Sequence, residues 1–112
     1  MKERDFKYIH DILEQINIVE NFISGISKDQ FMSDEKTQYA VVRGIELIGE
    51  ISNKLSDEFI AEYKDFPYRE MRGMRNRLIH EYDNVDIVKV YDVAYIHLPV
   101  LKKQVLNLIN KI

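Results

Sequence analysis

The residues best equipped for chemistry lie close together, in Phe66-Pro67-Tyr68-Arg69-Glu70-Met71-Arg72-Gly73-Met74-Arg75-Asn76-Arg77-Leu78-Ile79-His80-Glu81-Tyr82. The stretch holds four arginines, one of the chain's three histidines and two tyrosines. Histidine changes charge near neutral pH, so His80 can donate or accept a proton. An arginine fork binds phosphate oxygens and stabilises charge that develops on them. Together these groups suit breakage of an RNA phosphodiester. The substrate's own 2'-hydroxyl attacks, a histidine shuttles protons and an arginine holds the phosphorane charge, with no metal required. A metal-dependent nuclease more often shows a cluster of carboxylates. The only nearby glutamates, Glu70 and Glu81, stand eleven residues apart, which gives a metal site little support.

On a helix turning about 100° per residue, Asn76 and His80 share a face and Arg77 lies close to it. Arg75 diverges from His80 by about 140°, whereas Tyr82, seven residues on, is nearly in register with Arg75. One chain therefore offers imperfect geometry for one compact site. Either the helix frays near His80, or two copies of the segment meet across a dimer axis and share a cleft. From spacing alone three readings stand: a solvated arginine face paired with acids, an RNA- or nucleotide-binding face, and a catalytic one. Glu81 reads as solvated or as a helper that orients a base. Tyr82 reads as a packed aromatic, a hydrogen-bond donor or a modified hydroxyl.

The elements that must hold this segment read as helices. Phe6, Ile9, Leu13, Ile16, Val19, Ile23 and Ile26 recur every three or four residues and predict a first helix over about 5–24, with Asp5 as its cap and Gly25 as its stop. Residues 27–32 read as a connection. Ser33 is expected to cap a second helix over about 34–55, striped by Val41, Ile45, Ile48, Ile51 and Leu55. Val42 and Leu47 broaden that stripe, which implies neighbours on more than one side. Gly44 and Gly49 cost this helix about 1 kcal/mol each and are tolerable where another backbone packs closely. Ser56-Asp57-Glu58 can open a short helix. Pro67 suits the start of a third helix, over about 67–82. Asp83 or Asp86 can cap the next segment, and Pro99 starts or kinks a last helix carrying Leu101, Val105 and Leu108. His10 and His97 read as boundary residues without chemistry. The expected fold is all-α: an antiparallel up-and-down bundle of four main helices with a short additional helix, in one domain spanning 1–112.

Composition narrows the classes. The 112 residues are 46% apolar and 31% charged, ordinary values for a globular protein. A net charge of -3 argues against a surface coated in positive charge for duplex nucleic acid, while leaving room for a local basic patch. With no cysteine, disulfides and thiolate metal sites are excluded, and a reducing cytoplasm fits. No apolar run approaches the roughly 18 residues that would span a membrane. The start, Met1-Lys2-Glu3-Arg4-Asp5, leads into an amphipathic pattern and not a signal-peptide stretch.

The spacing of Arg75, His80 and Tyr82 resembles the signature of the HepT-like toxins of the HEPN superfamily: Arg, four residues, His, one residue, Tyr. Asn76 agrees with the polar residue that often follows the arginine. The preceding Phe66 to Met74 is similar to the family too, with Tyr68 where tryptophan is usual. Arg43-Gly44-Ile45-Glu46-Leu47-Ile48-Gly49-Glu50 resembles its second-helix pattern, and so do the acidic break and Leu98-Pro99. Asp83 departs from it, since an aromatic often follows the tyrosine, and this bears on a partner surface more than on chemistry.

The resemblance implies an all-helical homodimer whose paired motifs line a cleft. It implies a metal-independent endoribonuclease, the toxin of a type VII toxin-antitoxin pair, needing no cofactor to cut RNA. Arg75 and His80 would be catalytic, supported by Asn76, Arg77, Glu81 and Tyr82. Tyr82 would also be the regulatory residue, to which a minimal nucleotidyltransferase antitoxin transfers AMP from ATP. The competing expectation is a catalytically silent dimeric bundle that binds and stabilises such a transferase.

Overall fold

The computed structural model describes residues 2–80 and 86–111, for 78–80 the backbone alone. Its described elements are helical: α1 (Glu3–Ile23), α2 (Lys28–Ser33), α3 (Glu35–Ser52), α4 (Asp57–Glu62), α5 (Tyr68–His80), α6 (Ile87–Asp92), a π-helical turn (Val93–His97) and α7 (Leu98–Lys111). The expected all-α bundle is the observed one, with three short helices among the described residues, α2, α4 and α6, where one was expected.

Helix starts follow side-chain capping. Ser27 and Gln30 form a reciprocal capping box at α2, so the segment read as a connection is a helix. Its Phe31 is fully buried, with its ring 5.7 Å from that of Tyr91 and 6.0 Å from that of Tyr95. The cap of α3 is Asp34 and not Ser33. Asp34 accepts from the Thr37 amide at 3.1 Å and from the Thr37 hydroxyl at 2.6 Å. Ser33 is already occupied as the last residue of α2, where its hydroxyl donates to the Asp29 and Gln30 carbonyls. Ser56 caps α4 and Asp86 caps α6. Pro67 precedes α5 and its carbonyl accepts the Met71 amide at 3.2 Å. Gly25 follows α1 at φ 74°, the left-handed turn that a glycine adopts without a Cβ clash.

Two expectations for α1 are corrected. Its buried line runs Asp5, Ile9, Ile12, Ile16, Val19, Ile23, while Phe6 is 39% exposed. Asp5 does not cap the helix. It lies inside the first turn, fully buried, and accepts from the Ser56 amide at 2.8 Å and the Ser56 hydroxyl at 2.6 Å. A carboxylate held by two donors satisfies a buried position that an apolar pattern alone would assign to Phe6.

Side-chain pairings fix the helix directions. Val19, late in α1, meets Gly44 in α3, and Asp5 meets Ser56 just beyond the end of α3. Ser52 at the end of α3 meets Arg72, and Gly49 meets Arg75. Glu20, late in α1, pairs with Lys102 early in α7 at 2.9 Å. Each pairing is antiparallel. Helix α3 therefore packs on α1 along one side and on α5 along another, as its broad apolar face implied. The π turn ends two residues before Pro99, where the Leu98 amide reaches back to the Val93 carbonyl. Proline lacks the donor for a regular α-turn and its ring crowds the preceding turn. Among the described residues, no helix is long and apolar enough to cross a membrane.

Candidate functional site

Helix α5 carries the residues singled out above, and its attachment to α3 decides how they are presented. Met71 is buried against the core. Arg75, four residues later, is on the same stripe and lies in the same seam. Its side chain is half-buried, and its Nε is buried without a hydrogen-bond partner among the described residues. The guanidinium is held at its far end, where NH1 donates to Asn76 Oδ1 at 3.1 Å. Asn76 and Arg77 are exposed. Arg75 is thus the anchored cation of the motif and Arg77 the solvated one.

Close approach of the two backbones makes this possible. A Cβ placed on Gly49 would lie 2.8 Å from the Met71 carbonyl oxygen and 2.9 Å from Arg75 Cγ, and closer still to Arg75 Cβ. The corresponding position on the other side of α3 is Gly44, where a Cβ would run into Val19 Cγ2. The sequence-based account of both glycines as points of close packing holds, with helices of the same chain as the neighbours.

Arg72 was not singled out in the sequence. Its NH2 donates to the Ser52 carbonyl at 3.3 Å, and its guanidinium lies 5.2 Å from the Tyr68 ring centroid. A cation on a C-terminal carbonyl of α3 complements the negative end of that helix. The Ser52 hydroxyl, buried, donates to the Gly49 carbonyl at 2.7 Å. Arg72 therefore ties α5 to α3 one turn before Arg75. The spacing of four between Met71 and Arg75 puts both on one stripe of α5.

His80 ends α5, five residues after Arg75, so the backbone directions of the two diverge by about 140°. Glu81 and Tyr82 lie outside the described residues. On its other flank α5 borders an open groove of about 550 Å³, lined by Met71, Met74, Arg77, Lys89, Ile96 and His97 among others. Arg77 belongs to both the motif and this groove. His97 is exposed at the groove, and His10 is exposed with its ring 4.5 Å from Phe6. Among the described residues, no group of three or more His, Asp or Glu is placed to hold a metal ion.

Comparison with known proteins gives a family match whose range spans these residues. A family model described as ribonuclease HepT-like matches residues 12–108. A Methanocaldococcus jannaschii protein provisionally named as an RNase is 35% identical over the whole of this chain and 93% of its own length. A Thermococcus cleftensis protein, named provisionally as ribonuclease HepT, is 38% identical over 91% of this chain and 93% of its own. A provisionally named RNase of Caldanaerobacter subterraneus is 34% identical, covering 93% of each chain. No solved structure matches significantly. The helical bundle, the arginine-bearing α5 and a match running from α1 to α7 lead to one assignment: this chain belongs to the HepT-like ribonuclease family.

Proposed function

We propose that this protein is a metal-independent endoribonuclease, the toxin of a type VII toxin-antitoxin pair. The observation that carries the reading is the position of the Arg75 to Tyr82 motif inside the family match, together with the anchoring of Arg75 in the α3–α5 seam. A cation whose stem is already fixed loses little freedom when it meets a phosphate. In this reading the 2'-hydroxyl of the substrate attacks the adjacent phosphorus. His80 handles the proton, Arg75 stabilises the charge on the phosphorane oxygens, and the bond to the 5'-oxygen breaks. The products are a 2',3'-cyclic phosphate and a 5'-hydroxyl. Asn76 holds the guanidinium, Arg77 contributes charge to the strand, and Glu81 and Tyr82 complete the site.

Two copies would form the working unit, because Arg75 and His80 diverge around one helix and a second motif supplies the missing partner across a cleft. Control would come from a minimal nucleotidyltransferase. The Tyr82 hydroxyl attacks the α-phosphorus of ATP, pyrophosphate leaves, and the tyrosine is left as its AMP ester. The added negative phosphate near Arg75 repels an RNA phosphate by the electrostatics that otherwise favour it.

Cleavage of single-stranded RNA in the presence of a chelator tests the catalytic half. Activity should persist there and be lost in a folded His80→Ala variant. Undiminished cleavage by that variant would exclude the role given to His80, and failure to cut diverse RNAs while a transferase still binds tightly would favour the silent binding bundle. Intact mass after incubation with ATP and the transferase tests the regulatory half. A gain of one AMP should appear in the parent and be absent from Tyr82→Phe.

A further inference from the structure

We propose that Gly49 is a positioning residue: its missing side chain sets where the Arg75 guanidinium stands, an inference that rests on the ribonuclease reading of Arg75. Glycine in the interior of α3 costs about 1 kcal/mol relative to alanine, so it needs a reason. Backbone conformation does not supply one, because Gly25 is the only described glycine with positive φ. Space does. The atoms a Gly49 Cβ would meet are the Met71 carbonyl oxygen and Arg75 Cβ and Cγ. These are the backbone and root of α5, not the far end of a flexible chain, so no rotamer change relieves the clash. Restoring ordinary carbon contacts of about 3.5–4.0 Å requires α5 to move away from α3 by roughly 1 Å. The Arg75 stem, whose Nε is buried in that seam, would move with it, and the Asn76 side chain that holds NH1 rides on the same helix. A displacement of about 1 Å in a catalytic group can lower a rate by around 100-fold.

Gly44 is the matched control. It is five residues from Gly49, so it points about 140° away around α3, and its added Cβ would meet Val19 of α1 and nothing of α5. Both alanine variants lose packing, and one alone disturbs Arg75.

The test uses the full chain and two readouts. The first is the NMR signal of the Arg75 Nε–H, identified by its loss in Arg75→Lys and expected to exchange slowly because the atom is buried. The second is RNA cleavage at saturating and limiting substrate, compared at equal folded fraction. Gly49→Ala should shift the Arg75 signal, speed its exchange and lower kcat by about 100-fold, with KM changing by less than about 3-fold. Gly44→Ala should lower Tm while leaving the signal and kcat in place. An unchanged Arg75 signal together with kcat within about 2-fold of the parent in Gly49→Ala would overturn the proposal. If Gly49→Ala does not fold, a double-mutant cycle decides: Arg75→Gly removes Arg75 Cβ and Cγ and leaves the Met71 carbonyl contact, so Gly49→Ala should cost less stability in the Arg75→Gly background than in the parent, and an equal or greater cost there would overturn the Arg75 contact. Cleavage that survives Arg75→Lys and Arg75→Ala would instead refute the catalytic role of Arg75, and the NMR comparison still decides the Gly49 contact by itself.

Discussion

Replacing Asp5 should unfasten the bundle at one end, by an amount that its hydrogen bonds fix. The carboxylate takes both donors of Ser56, the amide at 2.8 Å and the hydroxyl at 2.6 Å. Ser56 in turn caps α4 by accepting the Phe59 amide at 3.1 Å. A hydrogen bond to a charged group contributes about 1.5–3 kcal/mol. The two bonds share one carboxylate and Ser56 is only part-buried, so the lower end of the sum, about 3 kcal/mol, is the expectation for Asp5→Ala. At roughly 4–8 °C per kcal/mol for a small domain, Tm should fall by about 12–24 °C. Asp5→Asn retains size and one acceptor and should lose about half as much. The pH dependence supplies a second handle. Burial pushes the Asp5 carboxyl up, but the Ser56 hydroxyl and amide, helped by the Lys2 amide contact and the Arg4 charge, hold it below the usual value. A carboxyl with a depressed folded pKa stabilises the protein above its unfolded value, about 3.9, and loses that contribution as pH falls through the folded pKa. Urea unfolding followed by circular dichroism should therefore show a constant gap between parent and Asp5→Ala from about pH 7 to about pH 5, closing below about pH 4. A gap under about 0.5 kcal/mol at neutral pH, or one as large at about pH 3 as at about pH 7, would refute the argument.

Substitutions at two further residues probe how the bundle holds its parts. Tyr95 donates to the Ile26 carbonyl at 2.9 Å, so Tyr95→Phe should cost about 1 kcal/mol in urea unfolding. Burial and the neighbouring Tyr91 push its hydroxyl above the usual tyrosine value. Its contribution should be full below about pH 10 and lost as pH rises through the folded pKa, and absorbance titration should lose one late-ionising tyrosine in the variant. Arg72→Ala removes the Ser52 carbonyl contact and the cation beside Tyr68 and should cost about 1–2 kcal/mol. Arg72→Lys should recover less than half, because an ammonium lacks the planar fork that makes both contacts.

The helices were legible wherever an apolar period ran unbroken. In α3 and α7 the apolar positions Val41, Ile45, Ile48, Leu101, Val105 and Leu108 recur every three or four residues and are buried, while Ile51 of the expected stripe is half-buried. The reading failed where a polar group did the work of an apolar one. Asp5 took the buried place that the pattern gave to Phe6, because Ser56, 51 residues away, supplies its donors. Helix α2 was missed although Ser27 and Gln30 have the spacing of a capping box. Its single buried anchor, Phe31, packs on tyrosines 60 and more residues away. The π turn before Pro99 was visible only as a kink, since proline forbids the regular turn without dictating its replacement. At the site, residue types and spacing pointed to α5 as a whole. They did not distinguish Arg72, which ties α5 to α3, from Arg75, which lies in the seam, because that depends on Gly49 and Ser52 of another helix.

The chemistry assigned to Arg75 and His80 is tested most directly by the ends that cleavage leaves. A single-stranded RNA cut in the presence of a chelator should give a 2',3'-cyclic phosphate and a 5'-hydroxyl. The same strand with one 2'-deoxy nucleotide at the cut position should resist cleavage there and nowhere else. Cleavage of the 2'-deoxy position at the parent rate, or activity that disappears with the chelator and returns with added magnesium, would contradict a 2'-hydroxyl attack served by histidine and arginine alone.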